Sequence, residues 1–330
     1  MKGSRVASWA LALLVWAVPA SAQEIHLAVI VGLAGEAEHA ELFQKWAATL
    51  VDGAPRLGID RSRIVYLTEK PDADATRATG RSSRQEIESA LTAIAKSATA
   101  DDVVVVLLIG HGTFDGKVAK FNLPGPDMTP ADFAPLLKKM PARQVVFVNT
   151  ASASAPFLTE LAAPGRIVVT ATRTGNERFA TLFGGYFVDA LMSEAADADK
   201  NRRISVLEAF NAAKIEVGRA YEREGLMLTE HPLLDDAGDG KGTGDPKADG
   251  ALGRVASIVA LGDPSAAQPL PEDPKLRALH VERRDLEKRV ETLKLLKGGM
   301  DPAKYAGELE RLLTELALKT RQIRDAEGRR

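Results

Sequence analysis

The chain has 330 residues, 45% hydrophobic, 27% charged and 5% aromatic, with 43 Lys+Arg against 45 Asp+Glu and a net charge of −2. This composition supports a sizeable core and excludes a disordered chain, and it lacks the basic excess expected of a nucleic-acid binder. There is no cysteine, which excludes disulfides, thiolate metal sites and any cysteine nucleophile.

Residues 1–22 read as a secretory signal: Lys2 and Arg5, an apolar run from Val6 to Val18, the breaker Pro19, then Ala20-Ser21-Ala22 as a small-residue cleavage site. Export to the periplasm or the exterior is the expectation. No later segment reaches the roughly 20 apolar residues of a membrane span. From residue 23 to 263, short β-branched runs alternate with longer helical stretches, which predicts a three-layer α/β domain with a mostly parallel sheet and helices on both faces. The predicted strands are His26–Gly32, Arg63–Leu67, Val103–Ile109, Gln144–Asn149, Arg166–Thr170 and Val255–Leu261. The unbroken apolar run from Val103 to Ile109 is what a strand buried on both faces requires. Helices are predicted over Glu38–Leu50 and Ser83–Ser97, the latter opened by the capping pattern Ser83-Arg84-Gln85-Glu86. Asp235–Gly250, rich in Gly and Asp, predicts a loop.

Residues 264–274 hold four prolines and read as a linker. In 275–330, Leu279, Leu286 and Leu293 recur every seven residues, Gly298-Gly299-Met300-Asp301-Pro302 breaks the pattern, and Tyr305, Leu309, Leu312, Leu316 and Ile323 resume it. Two antiparallel helices forming a coiled-coil-like hairpin are expected, offering a surface for a partner or for self-association.

Ligands of open α/β sheets bind beyond the carboxyl ends of the strands. Two such ends are distinctive: Gly110-His111-Gly112-Thr113 after the third predicted strand, and Asn149-Thr150-Ala151-Ser152-Ala153-Ser154 after the fourth. Over about residues 24–262 this arrangement resembles the caspase-like fold, and within it the legumain-like (C13) peptidases and bacterial caspase-family proteins. The resemblance implies that His111 is the relic base of a dyad and Ala151 stands at the lost cysteine position, with Asn149 at a position usually acidic. A methyl group cannot attack a carbonyl, so peptidase activity is expected to be absent. The resemblance also implies an oxyanion hole from the backbone N–H groups of Gly112 and Ala151, and a substrate-bordering loop with Arg173, Asn176 and Glu177. Peptide or protein binding is therefore the leading expectation. Two alternatives stand beside it: a hydrolase using Ser152 or Ser154 with His111, and an assembly protein acting through its C-terminal coiled coil. On an extended segment Ser152 points away from the direction of residue 151, which counts against the first.

Residues 197–208 follow a calcium-binding loop, with Asp197, Asp199, Asn201, Arg203 through its carbonyl, and Glu208 as candidate Ca²⁺ ligands. Arg202 stands where that loop wants glycine, and Ser205 with Glu208 also reads as a helix cap pair. His26, His39, His231 and His280 show no ligand spacing, and no phosphate-binding glycine motif occurs.

Overall fold

A computed structural model describes residues 24–262 and 269–328. The predicted signal segment and residues 264–268 of the predicted linker lie outside the described residues. The elements are β1 (Ile25–Val31), α1 (Ala37–Gly53), β2 (Ile64–Thr68), β3 (Gly80–Arg81), α2 (Arg84–Ser97), β4 (Val103–Ile109), β5 (Gly112–Phe114), β6 (Ala119–Phe121), α3 (Pro130–Lys138), β7 (Gln144–Asn149), α4 (Ala155–Leu161), β8 (Arg166–Thr170), α5 (Phe183–Leu191), α6 (Val206–Arg223) and β9 (Leu233–Asp235). The C-terminal helices are α7 (Pro274–Leu296) and α8 (Pro302–Ala326).

Seven strands form one sheet in the order β3-β2-β1-β4-β7-β8-β9, parallel except for β9, which runs antiparallel to β8. The wholly apolar β4 lies at its centre, between β1 and β7. Successive side chains of a strand face opposite ways, so Val103, Val105, Leu107 and Ile109 pack with Phe43, Phe183 and Phe210 of α1, α5 and α6. Val104, Val106 and Leu108 enter a second core with Leu91, Phe133 and Phe157 of α2, α3 and α4. Each core fills one side of the sheet, which gives the three layers. Ser83 caps α2, its hydroxyl accepting from the Glu86 N–H, as the capping pattern predicts.

One predicted strand is absent. Val255–Leu261 forms a turn instead, because the buried Asp236 carboxylate accepts the Gly253 and Ala256 N–H groups at 2.8 and 2.9 Å and holds the segment curled. Its apolar residues Ala256, Val259 and Leu261 still reach the core, and only Ala260 makes a β-bridge, to Ser205. The edge strand β9, Leu233–Asp235, is not among the predicted strands and ends at the first residue of the predicted loop Asp235–Gly250. The hairpin β5–β6, which follows the His-Gly motif directly, carries no alternation long enough to read.

The tail forms the two expected helices, packed through Leu286, Val290 and Leu293 of α7 and Leu312 of α8. Asp273 and Asp301 cap their first turns, accepting from the N–H groups of Leu276 and Lys304, and proline follows each cap, where its missing N–H costs nothing. Helix α7 borders the amino ends of β1, β4 and β7: Thr292 and Leu295 share a groove of about 150 Å³ with Ile25, Val103 and Gln144. Glu291 of α7 also pairs with Arg203.

Candidate functional site

Parallel pairing puts Leu108 beside Asn149, so the His-Gly and Asn-Thr-Ala-Ser segments emerge together at the carboxyl end of the sheet. They lock to one another through Gly112 and Ser152. The Ser152 hydroxyl accepts the Gly112 N–H at 3.1 Å and donates to the Gly112 carbonyl at 3.1 Å. A Cβ on Gly112 would stand 2.3 Å from the Ser152 carbonyl oxygen, so only glycine permits this approach. Ser154 is tied to the next strand end, its hydroxyl accepting from the N–H groups of Ala171 and Thr172 at 3.1 and 3.3 Å. Both serines are at least 98% buried.

His111 turns the other way. Its ring meets Phe43 and His39 of α1 edge-on, at centroid distances of 5.2 and 4.7 Å, and its Nε2 lies 3.1 Å from the Ala34 carbonyl. A carbonyl can only accept, so Nε2 carries the proton and Nδ1 is the basic atom. Burial, and secondarily the charge of His39, hold this imidazole below its ordinary pKa. Ala151 belongs to the opposite core, with Phe147 and Phe157. The imidazole and the methyl group therefore point into different layers, although their strands are neighbours. His111 makes no hydrogen bond to residues 151–154 among the described residues.

The backbone donors named by the resemblance are engaged internally. The Gly112 N–H bonds to Ser152, and the Ala151 N–H donates to the Asn149 side-chain oxygen at 3.0 Å. Asn149 is fully buried and its Nδ2 has no partner among the described residues. The left-handed φ of 54° at Ala153 turns the chain so that its N–H reaches the Glu177 carbonyl at 2.8 Å. The strand ends thus form a closed polar knot rather than a cavity.

Around this knot lies an open face. The Glu177 carboxylate accepts the Arg173 N–H, the His231 N–H and the His231 Nδ1–H at 2.9–3.1 Å. Glu230, 1% exposed, accepts the N–H groups of Leu182 and Phe183 at the head of α5, and burial pushes its carboxyl pKa up. Gly175 is held against the Phe114 ring of β5. These ties fix residues 173–183 alongside Glu230 and His231, while Arg173, Asn176 and Arg178 remain exposed. So do apolar side chains: Phe179 is 71% exposed, Leu226 63% and Met227 85%. Sequence reasoning reached Arg173, Asn176 and Glu177 but missed the apolar residues, since exposure has no signature in a single chain.

The loop at 197–208 brings one oxygen each of Asp197, Asp199 and Glu208 within 4.8 Å of one another. Arg202 adopts the left-handed conformation that glycine takes at this position, with φ of 68°. The Asp197 carboxylate accepts the Asn201 and Arg202 N–H groups, and Glu208 accepts those of Ala198, Asp199 and Ser205. Ser205 and Glu208 also form the capping box of α6, so the cap pair and the acidic cluster are built from the same residues. The Arg203 guanidinium pairs with Glu291, away from the cluster. The other histidines have structural partners: His26 is buried beside Asp102 and Arg63, and His280 pairs with Glu327 between the tail helices.

Fold and site define an α/β protein with a mostly parallel seven-stranded sheet, helices on both faces and two C-terminal helices. No protein-family profile matches the chain, and no curated protein is similar enough to count as a match. No helix among the described residues is long and apolar enough to cross a membrane.

Proposed function

We propose that the chain is a non-catalytic binding or scaffolding protein, built on a caspase/legumain-like frame and exported from the cell. The observation that carries this reading is the closed knot at the carboxyl end of the sheet. The Ser152 and Ser154 hydroxyls and the Gly112 and Ala151 N–H groups that a hydrolase would use there are engaged within the fold, and a nucleophile must instead be within reach of its base. The adjacency of the His-Gly and Asn-Thr-Ala segments supports the frame; the turning of His111 toward α1 weighs against a working dyad of any kind. The contact face is then the one that residues 173–182 and 226–228 present. Carboxylates fix its backbone, and its exposed Phe179, Leu226 and Met227 are the kind of apolar surface that marks a binding site.

The test has two arms on the full chain. A fluorophosphonate probe is expected to leave Ser152 and Ser154 unlabelled, and labelling abolished by His111→Ala would instead establish a hydrolase. A random peptide library is expected to yield ligands whose binding falls at least tenfold on Phe179→Asp with Met227→Asp. Ligands indifferent to both changes would place the contact face elsewhere.

A second reading concerns Ca²⁺ at Asp197, Asp199 and Glu208, favoured by the convergence of their oxygens. Each oxygen of Asp197 and Asp199 accepts a single hydrogen bond and keeps a lone pair, whereas both Glu208 oxygens already accept two, so an ion there has to displace part of the cap. Calcium titration followed by calorimetry is expected to give one site that Asp197→Asn weakens; absence of heat at millimolar Ca²⁺ would remove the ion from the account.

A further inference from the structure

Helix α8 has two apolar faces, and α7 covers one of them. Leu312, 2% exposed, and Ile323, 5% exposed, are buried on the covered face. The uncovered face is an open groove of about 760 Å³ that includes Ala306, Leu313, Ala317 and Leu318. Leu313 and Leu318 are 46% and 57% exposed. Small alanines stand beside large leucines on this face, a relief into which a second helix can nest.

The charges on this face are polar along the helix. Glu310 stands toward its amino end, and Arg321 and Arg324 toward its carboxyl end, all three lining the groove. Between two copies of this face, parallel pairing would set Glu310 against Glu310 and the arginines against arginines. Antiparallel pairing sets Glu310 of each copy against the arginines of the other, and a two-fold axis satisfies both contacts at once. Glu310 and Arg321 lie at equal distances from a point between Glu315 and Leu316, so the axis passes there, with Leu313, Ala317 and Leu318 closest to it.

We propose that the occupant of this groove is α8 of a second copy, packed antiparallel, so that the tail makes the chain a two-fold dimer. The pairing is independent of the function proposed for the α/β domain, and either can fail alone.

The absence of native cysteine makes a crosslinking test clean. In the full chain, Ala317→Cys is expected to form an intermolecular disulfide under mild oxidation. Ala306→Cys is not, because antiparallel packing puts its own copy about 28 Å away at 1.5 Å per residue. Crosslinking at both positions would indicate parallel pairing and overturn the proposal. Sedimentation of the cysteine-free chain is expected to show a dimer that Leu313→Glu with Leu318→Glu converts to monomer. Glu310→Arg alone should weaken the dimer at least tenfold, and adding Arg321→Glu and Arg324→Glu should restore it. A monomeric wild type at 100-fold above micromolar, or a dimer untouched by the two leucine changes, refutes it. Unchanged far-UV circular dichroism checks that each variant retains its helices.

Discussion

The two ends of the sheet satisfy their buried polar groups by different means. At the carboxyl end, uncharged hydroxyls and an amide tie backbone to backbone: Ser152 to Gly112, Ser154 to Ala171 and Thr172, Asn149 to Ala151. At the amino end, charge does the work. Asp102, 3% exposed, accepts the N–H groups of Glu24 and Thr99 at 2.9 and 2.7 Å and faces His26 at 3.5 Å. Arg63 donates to the same imidazole and pairs with Glu24. Hydrogen bonds to charged groups are worth more than neutral ones and are costlier to break. The knot that resembles an active site is therefore held by uncharged groups, whereas carboxylates anchor the amino end at Asp102 and the face beside the knot at Glu177 and Glu230.

Breaking the two ends separately should expose this ranking. Asp102→Ala is expected to have the largest effect, about 3 kcal/mol, because it strands two backbone N–H groups that bond to a charged acceptor; urea unfolding measures it, and a loss below that of the serine variant would reverse the comparison. Ser154→Ala should cost about 2 kcal/mol through the orphaned N–H groups of Ala171 and Thr172. The same denaturation series reads both.

The pH dependence of the carboxyl end sharpens the contrast. The folded pKa of His111 lies below its unfolded value, so the unfolded chain binds the extra proton first as pH falls. The stability that this residue contributes is complete above the unfolded pKa of about 6.5 and is lost as pH falls through the folded pKa. His111→Gln should flatten that part of the profile, as differential scanning calorimetry between pH 7 and 4 can show; an unchanged slope would assign the acid sensitivity to other groups. The smallest expected effect is a gain. Ala153→Gly relieves the left-handed backbone and should stabilise by at most about 1 kcal/mol, since glycine also loosens the unfolded chain. A loss of stability would mean that the buried methyl group contributes more by packing than its backbone costs.

Much of the architecture was legible from local pattern. The Val103–Ile109 run could be nothing but a strand covered on both sides, Ser83 announced the start of α2, and the seven-residue leucine spacing marked both tail helices. These signals are readable because burial periodicity and end-capping act between residues near in sequence. Val255–Leu261 departs from its strand-like pattern for the opposite reason: Ala256, Val259 and Leu261 are buried, but Asp236, about twenty residues away, supplies the acceptors that curl the segment. Leu233–Asp235 is too short to show alternation and enters the sheet only because the edge of β8 accepts it.

The candidate site divides along the same line. Residue types and local pattern alone determined that no thiol chemistry is available, that His111 and Ala151 follow consecutive predicted strands, and that three carboxylates recur at calcium-loop spacing. Only the tertiary structure decided that His111 leans on α1 while Ala151 sinks into the other core, that Ser152 and Ser154 are consumed by backbone, and that Phe179 and Met227 face solvent. A side chain's direction and its remaining hydrogen-bonding capacity depend on which distant groups arrive beside it, and that is settled by packing rather than by spacing along the chain.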